Sequence, residues 1–190
     1  MAMRELILKN RTFRRFHQDV PIDEATLKEL VDLGRLSASG GNFQSLKYVI
    51  SATPERNALI FPYLAWAAYL KEWGGPVEGE RPSAYILMLG DTSISKSSGV
   101  DHGISAQSIL LGAAELGLGG CIIGSVQREP LRQALHLPER YEILLVLALG
   151  KPMETVVLEP VKDGDIRYWR DEHGIHHVPK RALKDVLITI

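Results

Sequence analysis

Apolar and polar positions alternate along this chain with two different periods. Arg4–Lys9 has the length of a short opening helix. Leu27, Leu30, Val31 and Gly34 recur at helical spacing after Pro21-Ile22-Asp23. That stripe predicts an amphipathic helix of about three turns, with the Asp23 carboxylate accepting from free N–H groups of its first turn. Small and turn-forming residues from Ser37 to Asn42 interrupt it. Tyr48–Ala52 reads as a strand closed by Thr53-Pro54, and Glu55–Trp73 as a second helical region, aromatic-rich, kinked or broken at Pro62. After the turn-rich stretch Gly74–Pro82, Ala84–Leu89 is a buried-strand candidate. Ile104–Leu118 is apolar on most faces and predicts a buried helix. Asp101 near its start complements the helix dipole, and Gly117 and Gly119 supply the stop. Gly120–Ile123 is a short strand, and Pro130 opens another helix that ends near Leu137. Tyr141–Leu149 is the longest apolar run, the pattern of a central strand buried on both faces. The chain turns polar at Lys151, and Ile166–Val178 reads as a hairpin or extended arm turning at Gly174. Together these elements predict one α+β domain over residues 1–190: about four strands, helices packed on the sheet and a C-terminal extension.

Composition narrows the function. The 190 residues include 22 Lys+Arg and 23 Asp+Glu, a formal charge of −1. A nucleic-acid surface normally shows a basic excess, so no nucleic-acid partner is expected. A single cysteine permits no intramolecular disulfide. No window approaches the ~18 apolar residues of a membrane span, and Met1–Asn10 lacks the apolar core of a signal peptide. A cytoplasmic protein without a membrane partner is the expectation.

Three segments offer chemistry, each beside a plainer reading. Asn10-Arg11-Thr12-Phe13-Arg14-Arg15-Phe16 presents a fork of donors suited to a phosphate, or a solvated basic face with two core phenylalanines. Ser39-Gly40-Gly41-Asn42-Phe43-Gln44 allows close approach to a planar ligand, or is a helix cap and turn. Gly117-Leu118-Gly119-Gly120-Cys121-Ile122-Ile123-Gly124-Ser125 has glycines between a helix and a strand, the reverse of a dinucleotide fingerprint. A helix terminus accounts for Gly117, while Gly124 ends a strand and exposes a backbone N–H. His173, His176 and His177 lack zinc-motif spacing, so no metal site is expected. Cys121 lies in an apolar strand and reads as structural rather than nucleophilic. Asp101-His102 reads as capping rather than as an acid–base pair, because adjacent helical residues do not face each other.

As an ordered set, these segments resemble the flavin-dependent nitroreductase family. The opening motif of that family, of the type Arg-Arg-Ser-x-Arg-x-Phe, corresponds to Asn10–Phe16, with Asn10 in place of the first arginine. Ser-x-x-Asn-x-Gln-Pro-Trp corresponds to Ser39–Gln44, followed here by Ser45-Leu46. Asp101, Gly103, Gln107, Gly117-Leu118-Gly119, Ile123-Gly124 and Leu149-Gly150-Lys151-Pro152 complete the match, and Pro179-Lys180-Arg181 stands where a basic pair follows.

The resemblance implies a mostly antiparallel sheet of about four to five strands flanked by helices. It also implies a homodimer with FMN at each subunit interface. Arg11, Arg14, Lys180 and Arg181 would clamp the phosphate, and Thr12 would bind the ribityl-phosphate end. Ser39, Asn42 and Gln44 belong to the same cofactor-binding set, with Ser39 and Asn42 reaching the flavin from the partner subunit. Gly124, with Ile123, would place backbone beside flavin N5, where the chemistry occurs without a catalytic side chain. The implied activity is ping-pong NAD(P)H oxidation with a small organic acceptor, a nitroaromatic or quinone. A flavin module without turnover, and a cofactor-free interaction protein, are the alternatives.

Overall fold

The computed structural model describes residues 2–189. Its main sheet has five strands: β1 (Phe16–His17), β2 (Leu46–Ser51), β3 (Ala84–Asp91), β4 (Gly119–Ile123) and β5 (Tyr141–Pro152). β5 is central. It pairs antiparallel with β3 on one side, and with β4 and then β1 on the other, while β2 forms the far edge against β3. The α+β expectation, with a mostly antiparallel sheet and flanking helices, holds.

Alternation along β3 explains the three layers. Ala84, Ile86 and Met88 face α2 (Glu24–Arg35) and α4 (Asp101–Glu115), packing with Leu27, Leu30, Ala106 and Ile109. Tyr85, Leu87 and Leu89 face the opposite layer, with Ile60 of α3 (Pro54–Ile60) and Leu131 of α5 (Arg128–Ala134). A strand covered on both faces reads as a continuous apolar run, as β3 and the middle of β5 do.

The glycine-rich run after α4 is a packing device. Gly117 takes φ +77° where the helix ends, and a Cβ on Gly120 would lie 2.8 Å from the Ala148 carbonyl oxygen. Two sequence expectations change here. α3 ends at Ile60, followed by the 3-10 turn Phe61–Tyr63 and irregular chain, so the helical region foreseen to Trp73 breaks around Pro62 as expected but does not resume. The ring of Pro62 cannot donate to a continuing helix. The C-terminal extension is more than a hairpin. β6 (Val156–Pro160) runs parallel to β8 (His176–Lys180), which pairs antiparallel with the short β7 (Trp169–Arg170) through a turn at Gly174. A short α1 (Met3–Lys9) precedes the main domain. No described helix is long and apolar enough to cross a membrane.

Candidate functional site

The segment from Asn10 to Phe16 runs along the open side of β4. Phe13 N–H donates to the Gly120 carbonyl at 3.0 Å, and Thr12 bridges Gly120 in parallel. Residues 10–14 thereby follow the strand pleat, and Thr12 and Arg14 project to the same side. The same alternation on β8 presents His176, Val178 and Lys180 on one face. The two faces meet over a cavity of about 300 Å³ that also contains Arg11, Gln107 and Ile122 in its wall.

The electrostatics of this cavity are one-sided. Arg11, Arg14 and Lys180 line it, and no carboxylate among the described residues does. Arg11 donates through Nη2 to the Ile7 carbonyl at 2.6 Å, while its buried Nε has no partner among the described residues. Burial lowers the Arg11 guanidinium from its ordinary pKa. Arg14 lies 4.7 Å from the centre of the Tyr168 ring, and its Nη1 is 3.2 Å from His176 Nε2. Glu154, an acid beside this segment, is committed elsewhere. Its Oε1 accepts from the backbone N–H groups of Arg14 and Arg15 at 2.5 and 3.2 Å, and its Oε2 pairs with Arg170 at 2.9 Å. A buried donor without an acceptor, beside uncompensated cations, is the donor set of an anion site. Those residues fit a phosphate monoester.

The other predicted residues fall into two groups. Ser39 and Gln44 line a second cavity, of about 410 Å³, with Asp101 and Ser105. At about 100° per residue, Asp101 and Ser105 lie on one face of α4 and Gln107 and Leu110 on the opposite one. A single chain therefore keeps Ser39 and Gln44 apart from the Arg11 cluster. Asn42 and Gln44 are exposed and take φ of +54° and +52° in the same turn. The Ser39 hydroxyl donates to Asp101 Oδ2 at 2.7 Å and Gly40 N–H donates to Oδ1 at 2.9 Å. Asp101 sits in the first turn of α4, where its charge suits the dipole as expected, but its side chain caps no helix N–H and instead ties down the 39–42 turn, against which it is buried.

On β4 the cavity-facing residue is Ile122. The Ile123 side chain points into the core, leaving only its backbone available beside Gly124. Gly124 is exposed and follows Ile122 by two residues, so it continues the Ile122 face; its carbonyl accepts from Arg128 Nη2 at 3.2 Å. Arg181 is exposed and does not line the cavity. The histidines diverge. His176 is buried against Arg14 and Tyr168, His177 pairs with Glu159 and Asp171 at 3.0 and 3.2 Å, and His173 is exposed. Cys121 is buried, and desolvation pushes its thiol up to about 11, so it stays protonated. Sequence reasoning missed His176, Tyr168 and Ile122 as wall residues. Period-two alternation back from Lys180 already pointed to His176.

The family model for the nitroreductase family matches residues 82–151, the stretch from β3 through α4 and β4 to the end of β5. Over that stretch the chain is similar to the nitroreductase family. It is 26% identical to the NADPH-flavin oxidoreductase of Vibrio harveyi over 164 residues, covering 82% of this chain and 68% of that protein. The structure of the Vibrio harveyi NADPH:FMN oxidoreductase complexed with NAD+ superposes with TM-score 0.62 at 25% identity, over 78% of this chain and 68% of that one. A putative nitroreductase from Exiguobacterium sibiricum 255-15, solved with FMN, shares the fold with TM-score 0.67 at 17% identity, covering 80% of this chain and 89% of the other.

Proposed function

We propose that this protein is a member of the nitroreductase family and an FMN-dependent NAD(P)H oxidoreductase that passes reducing equivalents to a small organic acceptor. The observation that carries the reading is the cavity in which Arg11, Arg14 and Lys180 converge without a carboxylate. These residues would hold the FMN phosphate, which carries nearly two negative charges, with Thr12 beside the ribityl end. The NADPH and FMN chemistry of the Vibrio harveyi relatives supports the same assignment. When bound, FMN would supply the redox chemistry that links NAD(P)H to the acceptor. The protein binds and orients. Ile122 and Gly124 provide the strand face beside the ring edge, with the Gly124 N–H as the proposed donor to N5. Ser39, Asn42 and Gln44 would complete the site from a second copy of the chain, since α4 separates them from the Arg11 cluster within one copy.

Titration of the apoprotein with FMN, followed by NADH and NADPH oxidation with a nitroaromatic and a quinone, tests the proposal. The expected result is stoichiometric flavin uptake and acceptor-dependent oxidation, with parallel double-reciprocal lines from a shared substrate space. A protein that takes up no FMN refutes it. Uptake without oxidation of either nucleotide points instead to a flavin module without turnover.

A further inference from the structure

A cation that must hold a phosphate has to be both aimed and left unneutralised. Aspartate or glutamate would aim Arg14 but also cancel its charge. The structure uses another solution. Arg14 Nη1 lies 3.2 Å from Nε2 of His176, which is 1% exposed on β8. Tyr168 supports both groups: its ring is 5.1 Å from the His176 ring and 4.7 Å from the guanidinium carbon. Glu154, a carboxylate beside the pair, holds the Arg14 backbone and Arg170, not the Arg14 guanidinium. Arg14 can donate to Nε2 only if that nitrogen is an unprotonated acceptor. Burial and the Arg14 charge push the His176 imidazole down to about 4, which keeps it neutral near pH 7.

We propose that His176 is a positioning residue that, as an uncharged acceptor, aims Arg14 into the cavity while leaving its full positive charge for the ligand phosphate. The inference rests on FMN being the ligand of this cavity. His176 itself does no chemistry. It fixes one arm of the guanidinium, and the remaining donors face the anion.

Riboflavin has the same ring as FMN without the phosphate, so it isolates the effect. Apoprotein of the wild type and of His176→Gln, His176→Glu and Arg14→Ala is titrated with both flavins, following flavin fluorescence. Gln and Glu are nearly isosteric, and only Glu brings a charge. FMN affinity is expected to fall about tenfold or more in His176→Glu, the order of one lost charge-assisted hydrogen bond. His176→Gln should stay within about threefold, and riboflavin affinity should be unchanged in both. In an Arg14→Ala background, His176→Glu should add nothing further, because the residue it acts through is gone. Equal losses for FMN and riboflavin, or indistinguishable Gln and Glu variants, overturn the assignment in favour of a purely structural histidine. If the Glu variant does not fold, His176→Phe replaces it, with the same split between the two flavins expected and the same equal loss overturning it. A wild type that binds neither flavin would refute the parent reading instead.

Discussion

At the scale of single residues, the site is held by side chains that spend their hydrogen bonds on backbone. Asp101 shows this. Sequence alone assigns it to the dipole of α4, a role any carboxylate in a first turn can fill. The structure buries it under the Ser39–Asn42 turn, where it accepts from the Ser39 hydroxyl and the Gly40 N–H. The turn contains Asn42 at φ +54° and is followed by Gln44 at φ +52°, uncommon conformations for non-glycine residues. An anchor that satisfies two donors offsets that cost. Asp101→Ala should lower the stability to urea by about 2 kcal/mol, the order of hydrogen bonds to a charged group. Asp101→Asn, which keeps one acceptor, should lose less. Equal stability of wild type and Asp101→Ala would remove the anchor role.

At the scale of elements, the arm of β6, β7 and β8 brings the C-terminal cation to the N-terminal ones. Lys180 reaches the Arg11 cavity only because β8 is fixed in register against β6, with Leu158 opposite Val178 and Pro160 opposite Lys180. His177 is one of its clasps. It bonds Glu159 through Nδ1 and Asp171 through Nε2, and its ring stacks on Trp169 at 4.8 Å. The Glu159 and Asp171 hydrogen bonds raise the imidazole pKa above its ordinary value of 6.5. A raised base stabilises the folded arm in full below the unfolded pKa and loses that contribution as pH climbs through the folded one. Amide exchange protection of residues 169–180 should therefore fall as pH rises above the ordinary imidazole value, after correction for intrinsic rates. His177→Gln should flatten the profile. A wild-type profile as flat as the variant's would mean the clasp does not titrate in the arm.

This element also shows what the sequence could convey. The main sheet was legible because β3 and β5 are covered on both faces, and their apolar runs have no other solution. The glycines after α4 were legible as a helix stop, although their second role, close packing against β5 at Gly120, depends on a strand far away in sequence. The arm was legible only as a hairpin. Parallel pairing of β6 with β8 comes from tertiary contact, and a short half-exposed strand carries little hydrophobic signal. The break at Pro62 was legible, but not that helix fails to resume from Leu64 to Trp73, because aromatic density there resembles a buried helical face.

At the scale of the whole molecule, one chain leaves apolar surface uncovered. Leu36, at the end of α2, is 65% exposed, Phe43 in the following turn 62%, and Val100, beside the start of α4, 72%. Large apolar residues this exposed and this close to Ser39, Asn42 and Gln44 are costly on a monomer and ordinary in the centre of an interface. Because opposite faces of α4 carry the two halves of the proposed site, covering this surface with a second copy is also the way both halves can meet one ligand. Stable interfaces of this kind bury about 1,200 Å² or more in total. Sedimentation at micromolar concentration should give a species of twice the 21.1 kDa chain mass. Charging the patch with Leu36→Asp and Val100→Asp should shift it toward monomer and weaken FMN binding, although neither residue lines the Arg11 cavity. Flavin affinity should then recover with protein concentration, since the site would be completed by mass action. A monomer that binds FMN as tightly as the wild-type protein, independent of concentration, would mean that one copy of the chain holds the cofactor alone.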